Sequence, residues 1–187
     1  AYAMDTMVSD MLAVLDQLGI DQTAYMGHSM GARMGYSLAS IAPERITAFI
    51  LGNSAPDNDR PYRYHRRARR LGYGMERYLA GVESRYGRME PEDHRERFLA
   101  NDALALSALT TAIGNSPGLE SLLPTMDTPV LIYAGSEDLI HPYAQKAAES
   151  GPTASFVSLT GLDHDAAFKR SDMVVPHVEK FLASTGQ

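Results

Sequence analysis

The five residues Gly27-His28-Ser29-Met30-Gly31 constrain this chain more than any other stretch. They follow a short apolar run, Thr23-Ala24-Tyr25-Met26, and lead directly into the helix-like segment Ala32-Arg33-Met34-Gly35-Tyr36-Ser37-Leu38-Ala39. Strand, G-x-S-x-G, helix is the arrangement that puts a serine at the tip of a sharp turn. The backbone there is strained and the hydroxyl projects above the sheet edge. Glycines are expected at 27 and 31 because a Cβ at either position would strike the neighbouring strand or helix. The competing reading is a glycine-rich turn that happens to hold a serine. The rest of the chain has to decide between them.

Ahead of the turn, Met4, Met7, Val8, Met11, Leu12, Leu15 and Leu18 recur at the three-four spacing of one apolar helix face. Gly19 supplies the stop, since glycine adopts the left-handed conformation at a helix end readily. After the turn, the helix should end near Ala42, before Pro43. Ile46–Leu51 is continuously apolar, as a parallel strand covered on both faces is, and Gly52-Asn53-Ser54-Ala55-Pro56 closes it as a loop. From Pro61 to about Asn115 the pattern becomes helical, around Arg66–Ala80, Pro91–Asn101 and Ala103–Ile113, with no convincing strand between. Strands return at Pro129–Ala134 and Ala154–Leu159, separated by a helix from His141 to Ser150 that Gly151 stops. A last helix carries Val174, Val175, Val178, Phe181 and Leu182, with Pro176 expected in its first turn. Strands alternating with helices predict one α/β domain over residues 1–187. Its sheet should be mostly parallel with helices on both faces, interrupted by a helical insertion over about 57–125.

Strand, turn and helix together resemble the α/β-hydrolase family, and Ser29 sits where that family carries its nucleophile. The resemblance implies that Gly27, His28 and Gly31 frame a nucleophile elbow, that the acid and the histidine follow the serine in that order, and that the helical insertion is a cap over the active site. Such groups gather at the carboxyl ends of the strands. Asp138, in Ala134-Gly135-Ser136-Glu137-Asp138, lies just past the third strand in a segment similar to the family's acid loop. Asp57, just past the second strand, is its rival, because some members place the acid there. Glu137 should point away.

Six histidines compete for the base. His28 sits inside the turn and cannot fold back onto its neighbour's hydroxyl. His65 and His94 fall in the helical insertion, His141 is too near Asp138 in sequence, and His177 belongs to the last helix. His164 follows the last strand, in Gly161-Leu162-Asp163-His164-Asp165, a stretch similar to the family's histidine loop. The resemblance also assigns the backbone N–H of Met30 to the oxyanion hole. The second donor normally comes from a loop marked by a His-Gly pair, and this sequence has none. No strand precedes the first helix either. The likeness runs end to end but covers only about the C-terminal two-thirds of the family's usual length. A missing N-terminal segment or a homo-oligomer is therefore expected, since Thr23–Gly27 would otherwise be a bare apolar edge.

Charge and composition narrow the field. A net charge of −6 argues against nucleic acid as a partner. No apolar run reaches membrane-spanning length and no signal segment opens the sequence. With no cysteine there is no disulfide framework, thiolate nucleophile or thiolate metal site, which fits a cytoplasmic location. No phosphate loop, metal-spaced carboxylate pair or dinucleotide fingerprint appears, so neither metal nor cofactor is expected. Eleven of the fourteen arginines fall between Arg60 and Arg97, against six acidic residues. That basic segment is either a lid attracting acidic substrates or a solvated helix face with arginine stems laid over apolar surface. The combined expectation is a serine hydrolase of a small ester or related acyl substrate, using Ser29, His164 and Asp138. The alternatives are carbon–carbon bond hydrolysis or cofactor-free perhydrolysis by the same triad, and a non-catalytic binding module on a truncated hydrolase core.

Overall fold

Alternation of side chains along extended strands decides which helices this sheet can hold, and two of its strands alternate cleanly. In the computed structural model, which describes residues 2–57, 61–87 and 91–186, β2 (Ile46–Gly52) and β3 (Val130–Gly135) lie in the middle of a four-stranded parallel sheet. They are flanked by β1 (Thr23–His28) and β4 (Ala154–Leu159) in the order β1-β2-β3-β4. Phe49, Leu51, Val130, Ile132 and Ala134 point to one face, into a core with Val8, Ala32, Tyr36, Leu38, Ala144 and Ala148. Those partners come from α1 (Met4–Gln17), α2 (Met30–Ile41) and α7 (His141–Ser150). Ile50, Leu131 and Tyr133 point to the other face, where Leu162, Ala167, Val174, Val178 and Phe181 cover them. That cover includes α8 (His164–Lys169) and α9 (Ser171–Ser184). Both faces of β2 and β3 are therefore apolar, which is why these strands read as unbroken hydrophobic runs. β1 is an edge, and its Met26 side chain is 52% exposed.

The helix α1 ends as its sequence requires. Gly19 takes φ +65°, and the Ile20 N–H reaches back to the Leu15 carbonyl at 2.9 Å, closing a Schellman motif. Leu18, counted on the apolar face from its spacing, lies past the last helical residue and is 65% exposed. Pro176 also departs from expectation. It is the sixth residue of α9, inside the helix rather than in its first turn. Among the described residues, no helix is long and apolar enough to cross a membrane.

The chain divides into two units, one formed by Asp5–Asp57 with Gly118–Gln187 and holding the sheet, the other by Ala1–Met4 with Asn58–Pro117. The second is helical: α3 (Pro61–Leu71), α4 (Met75–Tyr86), α5 (Glu92–Leu99) and α6 (Ala103–Asn115). The segment read as one helix around Arg66–Ala80 is two. The chain breaks at Gly72-Tyr73-Gly74, where Gly74 takes φ +102° and its N–H returns to the Leu71 carbonyl. Leu71, Met75 and Tyr78 form the centre of this unit, with Val82, Phe98, Leu99, Ala103 and Leu106 packed around them. Asp102 starts α6 by accepting the Leu104 and Ala105 amides, as a good N-cap does. The arginine-rich face behaves as stems over apolar surface. The guanidinium groups of Arg67 and Arg70 lie 5.9 and 5.4 Å from the Tyr78 ring centre, while Arg63, Arg66 and Arg69 are exposed. Arg60 and Arg88 lie outside the described residues. Residues 118–125, placed in the insertion from sequence, belong with the sheet, where Leu123 is buried in the first core.

Candidate active site

Two strand ends, one helix start and one short helix bring the site together. Ser29 follows β1 with φ 54° and ψ −111°, a left-handed backbone that a non-glycine residue adopts at an energetic cost. Its N–H donates to the Gly52 carbonyl at 2.8 Å and its carbonyl accepts the Arg33 N–H at 3.0 Å, opening α2. A serine at a helix start ordinarily turns its hydroxyl onto the first turn's amides. Ser29 makes no such cap. The hydroxyl instead meets His164 Nε2 at 2.8 Å.

The two glycines of the turn are not equivalent. A Cβ on Gly27 would collide with the backbone of Gly31 and Ala32, so glycine is required there. A Cβ on Gly31 would meet nothing within 4 Å, and its φ is not left-handed. The expectation that both positions exclude a side chain is corrected to Gly27 alone. Gly27→Ala should cost the sheet unit more than 2 kcal/mol, of the order of overpacking, whereas Gly31→Ala should be neutral or slightly stabilising through lower unfolded-state entropy. Urea melts of the two variants check this; equal destabilisation would refute it.

Asp138 sits just past β3, in a turn closed by its own N–H to the Gly135 carbonyl at 3.0 Å. One carboxylate oxygen, Oδ1, accepts the Ile140 amide at 3.1 Å. The other, Oδ2, is 2.6 Å from His164 Nδ1 and also accepts Asn53 Nδ2 at 2.6 Å. Burial alone would raise this carboxyl's pKa. The donors from His164, Ile140 and Asn53 outweigh it and hold the group below the usual carboxylate range. His164 was read as a loop residue; it is the first residue of α8, whose N-cap Asp163 accepts the Ala166 amide. Asp163 therefore serves the helix, and Asp165 is exposed.

The remaining candidates go elsewhere. The Asp57 carbonyl faces the Arg33 guanidinium at 3.3 Å, and the imidazole Nδ1 of His164 is turned to Asp138. Glu137 is exposed. His141 pairs with the Ser158 hydroxyl at 2.8 Å, away from Ser29. His28 stands edge-on to the His164 ring, centroids 5.3 Å apart, and 5.2 Å from the Phe168 ring. Both its ring nitrogens are buried without a hydrogen-bond partner. Burial, then the neighbouring His164, push its pKa below the ordinary histidine value. The Met30 N–H is at the first position of α2, where no intrahelical acceptor exists. Sequence reasoning missed Asn53. The available signal was a polar residue of a type tolerant of left-handed backbone, placed where a buried strand ends.

A hydroxyl, an imidazole and a carboxylate linked in this order can move a proton off the hydroxyl and hold the resulting imidazolium. Among the described residues, no group of three or more histidine or acidic side chains could hold a metal.

Known proteins were compared with the chain on this basis. Residues 1–105 match the family model described as alpha/beta hydrolase fold. A putative 2-succinyl-6-hydroxy-2,4-cyclohexadiene-1-carboxylate synthase of Bacillus subtilis is 31% identical over 156 residues, 73% of this chain and 57% of that protein. A putative carbamate hydrolase RutD of Pseudomonas savastanoi pv. phaseolicola is 28% identical over 179 residues, 84% of this chain and 66% of its own. The chain thus spans less than two thirds of the length of either. Among solved structures, the enol-lactonase from Burkholderia xenovorans LB400 superimposes with a TM-score of 0.81 at 25% identity, over 97% of this chain and 74% of that one. A hydrolase from Pseudomonas aeruginosa PA01 gives 0.85 at 24% identity, a likeness of fold, over 97% and 72%.

Proposed function

The chain belongs to the α/β-hydrolase fold family, and from that premise we propose that it is a serine hydrolase of a small ester or related acyl substrate. The observation that carries this reading is the unbroken chain from Ser29 Oγ through the His164 ring to Asp138, at 2.8 and 2.6 Å. With Asp138 ionised, His164 keeps its proton on Nδ1 and turns a lone pair at Nε2 toward the Ser29 hydroxyl. Ser29 Oγ attacks the acyl carbon while Nε2 takes its proton. The carbonyl oxygen, now negative, is met by the Met30 N–H at the start of α2, where the helix dipole adds to the attraction. As the tetrahedral intermediate collapses, the imidazolium gives its proton to the leaving alcohol or amine. Water, deprotonated by the same Nε2, then attacks the acyl-enzyme and frees both the acid and Ser29. The carbamate hydrolase and enol-lactonase named above work on substrates of this acyl class, and their names support it. The test is labelling with a fluorophosphonate: Ser29 should be modified and Ser29→Ala should not. A folded chain that resists labelling would favour the binding-module reading.

A separate expectation concerns association. β1 pairs only with β2 among the described strands, so its outer side presents unpaired N–H and C=O groups next to the exposed Met26. Open strand edges recruit other strands. Cover by a segment upstream of β1 or by a symmetric homo-oligomer is therefore expected, and the 187 residues alone should not form a stable monomer. Light scattering checks this, and a monodisperse monomer at micromolar concentration would refute it.

A further inference from the structure

Three backbone and side-chain bonds meet at the step from Gly52 to Asn53, where β2 ends. The Gly52 carbonyl holds the Ser29 N–H at 2.8 Å. The Asn53 N–H is held by the Tyr133 carbonyl of β3, also at 2.8 Å. The Asn53 side chain donates from Nδ2 to Asp138 Oδ2 at 2.6 Å, across 85 residues of sequence. One dipeptide thereby ties the serine at one end of the proton chain to the carboxylate at the other.

Asn53 is retained there against its own stability. It takes φ +49°, a left-handed backbone that asparagine tolerates better than other side chains with a Cβ. It is 2% exposed, and its Oδ1 is buried with no hydrogen-bond partner, a condition that burial penalises. Turning the amide over would satisfy nothing, because it would set Oδ1 against the Asp138 carboxylate. A buried residue that keeps an unmet acceptor while making one short bond to an ionised group has the profile of a functional position.

We propose that Asn53 is a positioning residue for the reaction: it locks the Asp138 carboxylate so that Oδ2 faces His164 Nδ1, while Gly52 fixes Ser29. This rests on the hydrolase reading above. Oδ1 of Asp138 is anchored by the Ile140 amide, but Oδ2, the oxygen that orients the imidazole, has among the described residues only Asn53 beside His164 itself. Without Asn53 the carboxylate turns about its last bond, the imidazole loses its fixed direction, and Nε2 spends less time aligned with the Ser29 hydroxyl. The loss falls on kcat, since Asn53 is buried behind Asp138 at 2% exposure.

The alternative is that Asn53 only satisfies a buried carboxylate, and two variants separate the two. Asn53→Gly keeps the left-handed backbone without strain and removes the amide. Asn53→Asp keeps the shape and replaces the donor with a second carboxyl, which at 2.6 Å from Asp138 shares one proton with it. The His164 ring is titrated by NMR, and p-nitrophenyl acetate turnover is normalised to fluorophosphonate-titrated sites. Asn53→Asp should shift the His164 midpoint by about one unit, because the shared proton changes the charge the imidazole faces as it is lost, and the acid limb of kcat/KM should follow. Asn53→Gly should lower kcat about 10- to 100-fold with KM within about twofold of wild type. Wild-type midpoints and wild-type kcat per titrated site in both variants would overturn the proposal. Should Asn53→Gly fail to fold, kcat per titrated site in Asn53→Asp decides: a loss of about 10-fold or more at unchanged KM supports the positioning role, and wild-type kcat overturns it. A wild-type chain that turns over no ester, while the midpoint still moves in Asn53→Asp, would overturn the hydrolase reading and leave Asn53's hold on Asp138 supported.

Discussion

Ser29→Ala and His164→Ala are each expected to lower kcat by about 10⁵- to 10⁶-fold, and the double variant by no more than either alone. The reason is that a hydroxyl and a base linked at 2.8 Å perform one operation. Without the imidazole, the hydroxyl keeps its proton and is no nucleophile at neutral pH; without the hydroxyl, the imidazole has nothing to activate. Losses that multiplied in the double variant would mean that the two side chains act in separate steps, and the proposed mechanism would fall. KM should change little, since neither group is needed to hold the substrate. Thermal stability should stay close to wild type as well. Ser29 provides no cap to α2, and the backbone bonds that hold the turn, to the Gly52 carbonyl and from the Arg33 amide, survive truncation of the side chain. Single-turnover measurements on titrated protein would read the chemical step directly.

Much of the fold could be read because its core strands are buried on both faces. Such strands leave unbroken apolar runs, and Ile46–Leu51 and Pro129–Ala134 lie within a residue of β2 and β3, while Ala154–Leu159, an outer strand interrupted by Ser155 and Ser158, coincides with β4. Errors came where local spacing gave way to backbone geometry. The two glycines at 72 and 74 are enough to break α3 from α4, yet the apolar and arginine periodicity runs straight across them. Pro176 was placed in a first turn because proline is tolerated there, but Ser171 and Asp172 carry the helix further back. Residues 118–125 look like a continuation of the helical insertion in composition. They join the sheet because Leu123 fills its core, a long-range fact that no local pattern records.

The candidate site was legible to the extent that its members stand at strand ends. Ser29, Asp138 and His164 each follow a strand closely, where the active groups of open α/β sheets gather. Asn53 does too, but an asparagine after a strand has an ordinary explanation as a turn residue. Its Nδ2 contact with Asp138 depends on how the ends of β2 and β3 are aligned, through the pairing of Gly52 with Tyr133. The asymmetry between Gly27 and Gly31 was hidden for a related reason. The motif names both positions alike, while only the three-dimensional turn shows that the Gly31 backbone itself is what crowds Gly27.

Asp138→Asn should lower kcat by about 10⁴-fold, less than loss of Ser29 but far more than loss of a surface hydrogen bond. The amide that replaces the carboxylate can present its NH₂ to His164. The imidazole must then accept at Nδ1 and carry its proton on Nε2, which points a donor at the Ser29 hydroxyl and removes the base. The same substitution removes the charge that balances the imidazolium. If Asp57 were the acid, Asp57→Asn would give this loss and Asp138→Asn would not, so the pair of variants decides the assignment. Asp138 should also leave a mark on stability as pH falls. Its folded pKa lies below the unfolded value of about 3.9. The native state therefore gains from the ionised form at every pH above that value, and the gain is lost as pH falls through the lower folded value. The stability that wild type draws from this carboxylate should be lost as pH falls below about 4, narrowing its difference from Asp138→Asn there. Urea titrations at stepped pH would show it. A difference that stayed flat to pH 2 would mean that the three donors around the carboxylate do not favour its ionised form, and the polarity assigned to the His164–Asp138 contact would have to be abandoned.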